Sequence, residues 1–561
     1  MSEFYSAPRD YAAIALQYAR DVVDGHTLAC QWVIKACRRQ LNDLERAGTD
    51  DFPYRFDETR GAVACQFVEL MPHTKGKWAR GGERIVLQPW QVFHRMVVFG
   101  WVHAETGLRR FRKAYVCVPR KNGKSIDAAG TALYMFAADD EHGAEVYSGA
   151  TTEKQAWEVY RPARLMALKT PEFLEQFGVE VGATNMNIPA DGSRFEPVIG
   201  KPGDGASPSC AIIDEYHEHE TDDLVDTMET GMGAREQPLT LIITTAGTNI
   251  ESPCYALQQD VQKVLDGVVE NETLFGIIYT CDPGDDWTSD VALRKANPNY
   301  DVSVSGEFLR SKIREAVQSA RKQNIIKTKH LNIWCSARTA WMNMEAWNAC
   351  EDASLKDADF EGERCCLTLD LSSKIDITSS VKTFRREIDG VTHYYAFCRF
   401  YLPEARAEDP DRQHYQGWMH EGLLTVTDGN VIDYGKVFDD IIDDGRRFEV
   451  AEVAGDPWNA TKFMQDLQAE GFVVAEFPQT TARLSEPMKE LEALVIAGRF
   501  HHDGNPILTW MMSNVTVKPD AKDNIFPRKD RAESKIDGAV ACVMGIARAQ
   551  VMPESDDWRP I

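Results

Sequence analysis

Val118 to Ser125 reads VPRKNGKS and ends as a phosphate-binding loop ends. The usual pattern is G-x-x-x-x-G-K-[ST], in which the first glycine would stand at position 118. Here that position is Val118, and Arg120 and Lys121 fill the loop interior. The context still fits. AYVCV before the loop is a β-rich run, and SIDAAGTALYMFAA after it can form a helix. A strand, a loop and a helix in that order point backbone N–H groups and a helix N-terminus at phosphates. Lys124 would contact the β- and γ-phosphates and Ser125 would hold Mg²⁺. Asn122 and Gly123 suit the tight backbone, and Arg120 and Lys121 complete the cofactor-binding loop. The plain alternative is a surface Gly-Lys-Ser met by chance.

Three further stretches bear on that choice. CAIIDE, Cys210 to Glu215, is a short apolar strand ending in two acids. Asp214 is placed to hold Mg²⁺ and Glu215 to polarise the attacking water. LTLIITTAG, Leu239 to Gly247, is an apolar strand ending in hydroxyl residues, so Thr244 and Thr245 are candidates to sense the γ-phosphate. Threonine is also simply a good strand former. LQPWQVF precedes the loop, and Gln91 in it is a candidate to read the adenine edge; an ordinary residue in a helix's first turn is the alternative.

The chain has 561 residues, enough for about three structural units. A hydrophobic content of 43% supports packed cores, and the net charge of -25 leaves nucleic-acid binding to local basic stretches. The thirteen cysteines show no C-x-x-C spacing, which suits reduced thiols in a cytosolic protein. No signal core and no run of 18 apolar residues occurs, so the expected location is cytoplasmic, with no membrane partner.

Periodicity predicts a helical segment over 1–59 and alternating strands and helices over 60–340, that is, a mostly parallel sheet. Candidate strands are Lys113–Val118, Glu145–Ser148, Cys210–Asp214 and Leu239–Thr245. A basic helix is expected near 305–330, since residues 301–340 carry eight Lys/Arg against three acids. Residues 341–363 read as a linker, 364–548 as a second α/β region, and 549–561 as a tail. The second region opens with antiparallel strands, and Asp389-Gly390 between two β-rich runs signals a hairpin. His501-His502-Asp503, followed by Gly-Asn-Pro, reads as a turn.

The second region places aspartates at special points. Asp370 ends the strand CCLTLD, Asp456 ends VAEVAGD, and Asp537 stands near the start of the last helix. Three carboxylates converging from two strand ends and a helix suit a two-metal phosphodiester site. Oxygen ligands of this kind favour Mg²⁺ or Mn²⁺. Each aspartate alone reads more readily as a structural strand-end or cap residue, and Asp376 reads as a turn residue, with a fourth metal ligand as its alternative.

Taken together, LQPWQ, VPRKNGKS, CAIIDEYHEH, GAREQPLTLIITTAG, LTLDLSS, AGDPWNA, the stretch from LSEPMKELEALV to TWMMSN, and SKIDGAVA resemble the large terminase subunit of tailed bacteriophages. The resemblance implies an N-terminal P-loop ATPase domain of RecA/helicase-like fold and a C-terminal RNase H-like nuclease domain of mixed α/β structure. It implies that Lys124, Ser125, Asp214 and Glu215 form the ATPase core, that Gln91 reads adenine, and that Thr244-Thr245-Ala246 couples hydrolysis to motion. It assigns Asp370, Asp456 and Asp537 to the nuclease and accommodates Val118 and Arg120 in the loop. Arg120 is expected on the γ-phosphate of its own subunit, with a solvated or DNA-facing arginine as the alternative. Arg235 is a candidate for an arginine supplied to a neighbouring subunit, with a structural salt bridge as the equal alternative.

The implied activity is ATP-driven translocation of double-stranded DNA into a procapsid, with metal-dependent cutting of concatemers. The implied partners are the portal protein, the small terminase subunit and further copies of the chain: a pentameric ring when packaging, a monomer in isolation. Arg310–Lys329 and, more weakly, Lys518–Lys535 are candidate phosphate contacts. Two rivals are a DNA helicase or restriction-type translocase, and a docking protein that keeps a nucleotide fold without catalysis. The first needs a second motor domain, and residues 365–548 offer strand-end aspartates instead. The second has no use for Lys124, Asp214 and Glu215.

Overall fold

The computed structural model describes residues 9–199, 205–317, 320–335, 341–371, 376–408, 413–517, 520, 522–529 and 534–553. The chain divides into two compact units, one of residues 1–317 and 325–335, the other of 318–324 and 336–561.

The first unit is built on an eight-stranded sheet. Six strands run parallel in the order Leu274–Ile278, Lys113–Cys117, Leu239–Thr244, Cys210–Asp214, Glu145–Ala150, Ser193–Ile199. The short strands Met186–Ile188 and Glu180–Val181 continue it antiparallel at one edge. Strands covered on both faces read as unbroken apolar runs, and Cys210–Asp214 and Leu239–Thr244 are buried throughout. Alternation along a strand sends neighbouring side chains to opposite faces. In the strand before the phosphate loop, Ala114 and Val116 join one core, and Tyr115 and Cys117 the other.

The expected helical segment 1–59 contains Tyr11–Val23 and Gln31–Arg46, but it is not separate. Ala15, Ala19, Val22, Val33 and Cys37 lie in the same core as the loop strand, because the apolar face of each helix needs a partner. The basic stretch forms two helices, Gly306–Val317 and Ala320–Ile326, followed by a π-helical turn, Lys327–Leu331.

The second unit carries a seven-stranded mixed sheet. Its order is Thr425–Thr427, Val391–Pro403, Thr378–Ile388, Arg364–Asp370, Glu449–Gly455, Val474–Glu476, with Phe500–His502 pairing Val391–Pro403 off this path. The first long strands are antiparallel, and Glu449–Gly455 then joins Arg364–Asp370 in parallel. Asp389 and Gly390 turn the hairpin with φ of 52° and 76°, and Ile388 faces Val391 across it. Two consecutive positive φ values make the twist-matched two-residue turn.

Three expectations are corrected here. Residues 341–363 are not an exposed linker: Trp347 is fully buried and stacks on His502, and Phe360 is fully buried in an aromatic cluster. Apolar burial outweighs the acidic composition that suggested a linker. His501-His502 lies in the strand Phe500–His502, with the turn following it. The last helix, Asp537–Val551, runs past the boundary expected at 548, and the rest of the expected tail from 554 lies outside the described residues.

Candidate active sites

The phosphate loop leaves the strand Lys113–Cys117 and enters the helix Lys124–Ala137. Val118 is fully buried, and its N–H donates to the Thr244 carbonyl at 3.0 Å. Position 118 thus continues the sheet and needs no glycine. The turn is made later, at Lys121 (φ 73°) and Gly123 (φ 90°), where left-handed backbone favours glycine.

Asn122 lies in the turn of the loop, between Lys121 and Gly123. Its side chain is fully buried and turned away from the cleft, donating to the carbonyl of Pro119 at 3.1 Å and to Asn297 Oδ1 at 2.9 Å. Asn299 bonds back to Asn122 through its backbone N–H (3.0 Å) and its amide (2.9 Å), and Trp90 Nε1 donates to Asn299 at 2.8 Å. This brace, from Asn297-Pro298-Asn299, carried no motif in the sequence.

A cleft of about 560 Å³ opens over the loop, lined by Gln91, Arg120, Gly123, Lys124, Ser125 and Glu215, with Lys121 beside them. Gln91 lines this cleft and also has the plain role of a residue in a helix's first turn. Its Oε1 accepts from the Gln88 N–H at 3.0 Å to cap the helix Pro89–Gly100, and its Nε2 faces Gly123. Arg120 is exposed at the cleft.

Lys124 pairs with Glu215 at 2.9 Å. Burial pushes Asp214 up to about 7, against the pull of Lys124 and helped by the repulsion of Glu215. Burial works against the charge on Glu215 as well, but Lys124 and His217 overcome it and hold this carboxyl below the usual range. The Glu215 backbone is left-handed (φ 50°), and its Oε2 is buried with no hydrogen-bond partner. Strained backbone and an orphaned carboxylate oxygen suit a group that waits for a water. The buried Asp214 and the part-buried Glu215, which lines the cleft with Ser125, also suit a divalent cation.

Thr244 and Thr245 are fully buried and do not line the cleft. Their hydroxyls face His217, with Thr244 Oγ1 accepting the His217 N–H at 3.1 Å, so they act at one remove from a nucleotide. Arg235 is the clearest correction. Its guanidinium donates to the carbonyls of Ser207 (2.8 Å) and Gly143 (3.0 Å) and to Glu141 (3.2 Å). Gly143 and Ser207 precede the parallel strands Glu145–Ala150 and Cys210–Asp214, while Asp214 and, on the parallel strand Lys113–Cys117, the phosphate loop stand at the C-terminal ends, so Arg235 belongs to the opposite end of the sheet. Lys329 is also turned inward, with Nζ 2.9 Å from His217 Nε2, and Arg310 is paired with Asp290.

In the second unit, register brings Asp370 and Asp456 together. Leu369 pairs with Gly455 across parallel strands, and each aspartate is the next residue. Asp537 is the first residue of the helix Asp537–Val551, which close contacts seat on the sheet. Thr368 Oγ1 donates to the Ala541 carbonyl at 2.8 Å, and a Cβ on Gly545 would stand 2.3 Å from Thr383 Oγ1.

Gln479, unremarked in the sequence, bridges two of the acids. Its Nε2 donates to Asp370 at 2.9 Å and its N–H to Asp456 at 3.4 Å. Asp376 is not a bland turn residue: it lines the same cleft of about 580 Å³ and pairs with the buried Lys535 at 2.7 Å. Arg528 and Lys529 form an exposed wall of that cleft; part of the stretch 518–535 lies outside the described residues.

Burial, reinforced by Asp537, pushes Asp370 up to about 8; burial with Asp376 pushes Asp537 up to about 6. Among the described residues, no three His, Cys, Asp or Glu side chains are yet drawn close enough to hold a metal ion. Like charges resist convergence, and Gln479 and Lys535 take up part of the lone-pair capacity. The hard carboxylate oxygens of Asp370, Asp376 and Asp537 on one cleft are of the kind that a divalent cation takes.

Comparison with known proteins pairs an ATPase domain with an endonuclease domain in this chain. Residues 89–263 match the terminase large subunit ATPase domain, and 268–553, just over half of the chain, match the terminase large subunit endonuclease domain. The strand Leu274–Ile278 falls within the second match but pairs with Lys113–Cys117 in the first unit. Protein YmfN of Escherichia coli K12 is 48% identical over 63% of this chain and 80% of its own length. The terminase large subunit of Enterobacteria phage HK97 is 27% identical over 89% of this chain and 98% of its own. The crystal structure of the HK97 bacteriophage large terminase aligns with a TM-score of 0.43 at 25% identity, over 87% of this chain and 99% of that one. With a family match over half its length, and an ATPase fold and a nuclease fold each in place, the chain belongs to the terminase large subunit family, the ATPase-endonucleases of phage DNA packaging.

Proposed function

We propose that this chain hydrolyses ATP in the cleft over Gly123-Lys124-Ser125 and cuts DNA at the cleft that Asp370 and Asp537 line, with Asp456 next to Asp370 across the parallel strands. The observation that carries the first half is the Lys124–Glu215 pair beneath the phosphate loop, with Asp214 buried beside it. Lys124 leaves Glu215 for the β- and γ-phosphates when ATP binds. Gln91 meets the adenine, and Arg120 reaches the γ-phosphate within its own subunit. Glu215 then takes the proton of the attacking water. Ser125 and Asp214 would hold Mg²⁺, and Asp370, Asp456 and Asp537, with Asp376 alongside, would hold two Mg²⁺ or Mn²⁺. Such ions supply charge neutralisation and an activated water in phosphoryl chemistry. Gln479 orients Asp370 and Asp456 for that task.

The motor moves double-stranded DNA into a procapsid through the portal protein, in the host cytoplasm, as a ring of copies (a pentamer) supplied with DNA by the small terminase subunit. The chain outside this assembly is a monomer.

Two substitutions test the division of labour. Glu215→Gln is expected to lower packaging-coupled ATP turnover by about 10²-fold or more and leave Mn²⁺-dependent nicking of plasmid DNA intact. Asp456→Asn is expected to do the reverse. Wild-type cutting by Asp456→Asn would remove the nuclease assignment, and wild-type ATP turnover by Glu215→Gln would remove the base assignment.

A further inference from the structure

We propose that His217 is the positioning residue that holds Glu215 for hydrolysis and links it to the Lys327–Leu331 turn, an inference that rests on Glu215 being the general base. His217 is 4% exposed and lies in the 3-10 turn Tyr216–Glu218, directly after the left-handed Glu215. Its Nδ1 stands 3.2 Å from Glu215 Oε2, 3.2 Å from Thr244 Oγ1 and 3.4 Å from Thr245 Oγ1. Its Nε2 stands 2.9 Å from Lys329 Nζ and 3.2 Å from Glu218 Oε1. An ammonium only donates, so Nε2 accepts from Lys329 and the ring hydrogen resides on Nδ1, facing Glu215 and Thr244. Lys329 also lies 3.7 Å from Glu218, which keeps that carboxylate beside the ring without a proton on Nε2.

This places a hydrogen-bond donor next to the one carboxylate oxygen of Glu215 that has no partner. The other oxygen is held by Lys124. Once phosphates draw Lys124 away, the His217 Nδ1–H remains to fix the carboxylate, and a small rotation from Thr244 towards Glu215 Oε2 completes the bond. The same rotation changes what Thr244 and Lys329 feel. The carbonyl of Lys329 accepts from the Arg120 N–H at 3.0 Å. Just beyond it, Asn332 (φ 59°) accepts from the Ala246 N–H at 2.6 Å and donates to the Tyr279 carbonyl at 2.8 Å. The π-helical turn is thus tied through Lys329, and through Asn332 that caps it, to residues that follow strands, and it is placed to feel a change at His217. The chain passes from it into the second unit at Ser336.

The test is steady-state ATP turnover by the full chain with DNA and procapsids, alongside binding of a fluorescent ATP analogue. His217→Gln and His217→Ala remove the donor at Nδ1 and are expected to lower kcat about 10²-fold, with KM and analogue affinity within about threefold of wild type. His217→Asn restores an N–H at the Nδ1 position and is expected to recover turnover to within about tenfold of wild type. Glu215→Gln/His217→Ala is expected to be no slower than Glu215→Gln. Wild-type kcat in His217→Gln, recovery absent in His217→Asn while analogue affinity is intact, or a loss confined to KM would each overturn the proposal. If Glu215→Gln turns over normally, the base assignment falls with it; if Glu215→Gln is dead and His217→Gln is normal, only the role of His217 falls.

Discussion

Arg120 is the residue on which the phosphate loop departs furthest from its usual form. Its backbone is anchored to Lys329 while its side chain stays exposed at the cleft, so substitution leaves the loop geometry in place. Arg120→Ala is expected to lower kcat for packaging-coupled ATP hydrolysis by an order of 10³-fold, the low end of what arginines contribute at such sites, with the thermal midpoint unchanged. Normal turnover in that variant would sink the clamp. The contrast with Arg235 is instructive. Both arginines were candidates from their neighbourhood in sequence, yet Arg235 has its donors spent on carbonyls and Glu141 at the opposite end of the sheet. Charge type is legible in a sequence; the competition for each guanidinium is not.

At the scale of elements, the helix Asp537–Val551 decides whether the nuclease acids meet. Gly538 and Gly545 let it approach the sheet: a Cβ on Gly538 would stand 2.6 Å from Phe400, and one on Gly545 2.3 Å from Thr383 Oγ1. Overpacking such a contact costs about 1–3 kcal/mol. Gly545→Val is therefore expected to lower the thermal midpoint of the transition that exposes the second unit and to weaken Mn²⁺-dependent nicking, since Asp537 rides on the same helix. ATP hydrolysis is expected to be unaffected. A scanning calorimetry trace with an unchanged or raised midpoint would contradict this. The strands that bear the acids were legible because parallel strands buried on both faces are short apolar runs. The strands Ser193–Ile199 and Leu274–Ile278 were not singled out; Glu196 and Pro197 interrupt the first.

At the scale of the molecule, the chain couples two phosphate chemistries under a net charge of -25. DNA must then be met by local cations against an unfavourable mean field. Several basic candidates are already paired within the chain, Arg310 with Asp290 and Lys312 with Glu315. Arg528 and Lys529, exposed on the cleft of Asp370 and Asp537, are placed to meet phosphates. DNA affinity of the isolated chain is expected to fall about tenfold or more between 50 and 200 mM salt and to be indifferent to sequence. A salt-independent affinity in fluorescence anisotropy would argue for an apolar or base-reading surface instead.

The sequence by itself determined the nucleotide chemistry and the order of the two regions, because VPRKNGKS and CAIIDE are local patterns in a strand–loop–helix context, whereas the strand-end aspartates took their reading from the family resemblance. The tertiary structure alone decided which side chains are free to act. Asn122 is absorbed by Asn297 and Asn299, Thr244 and Thr245 are screened by His217, and Asp376 joins the acids through Lys535. These outcomes depend on which partner, distant in the chain, competes for each donor or acceptor in a buried place. Hydrogen bonds of that kind are fixed by packing and leave no periodicity in the sequence.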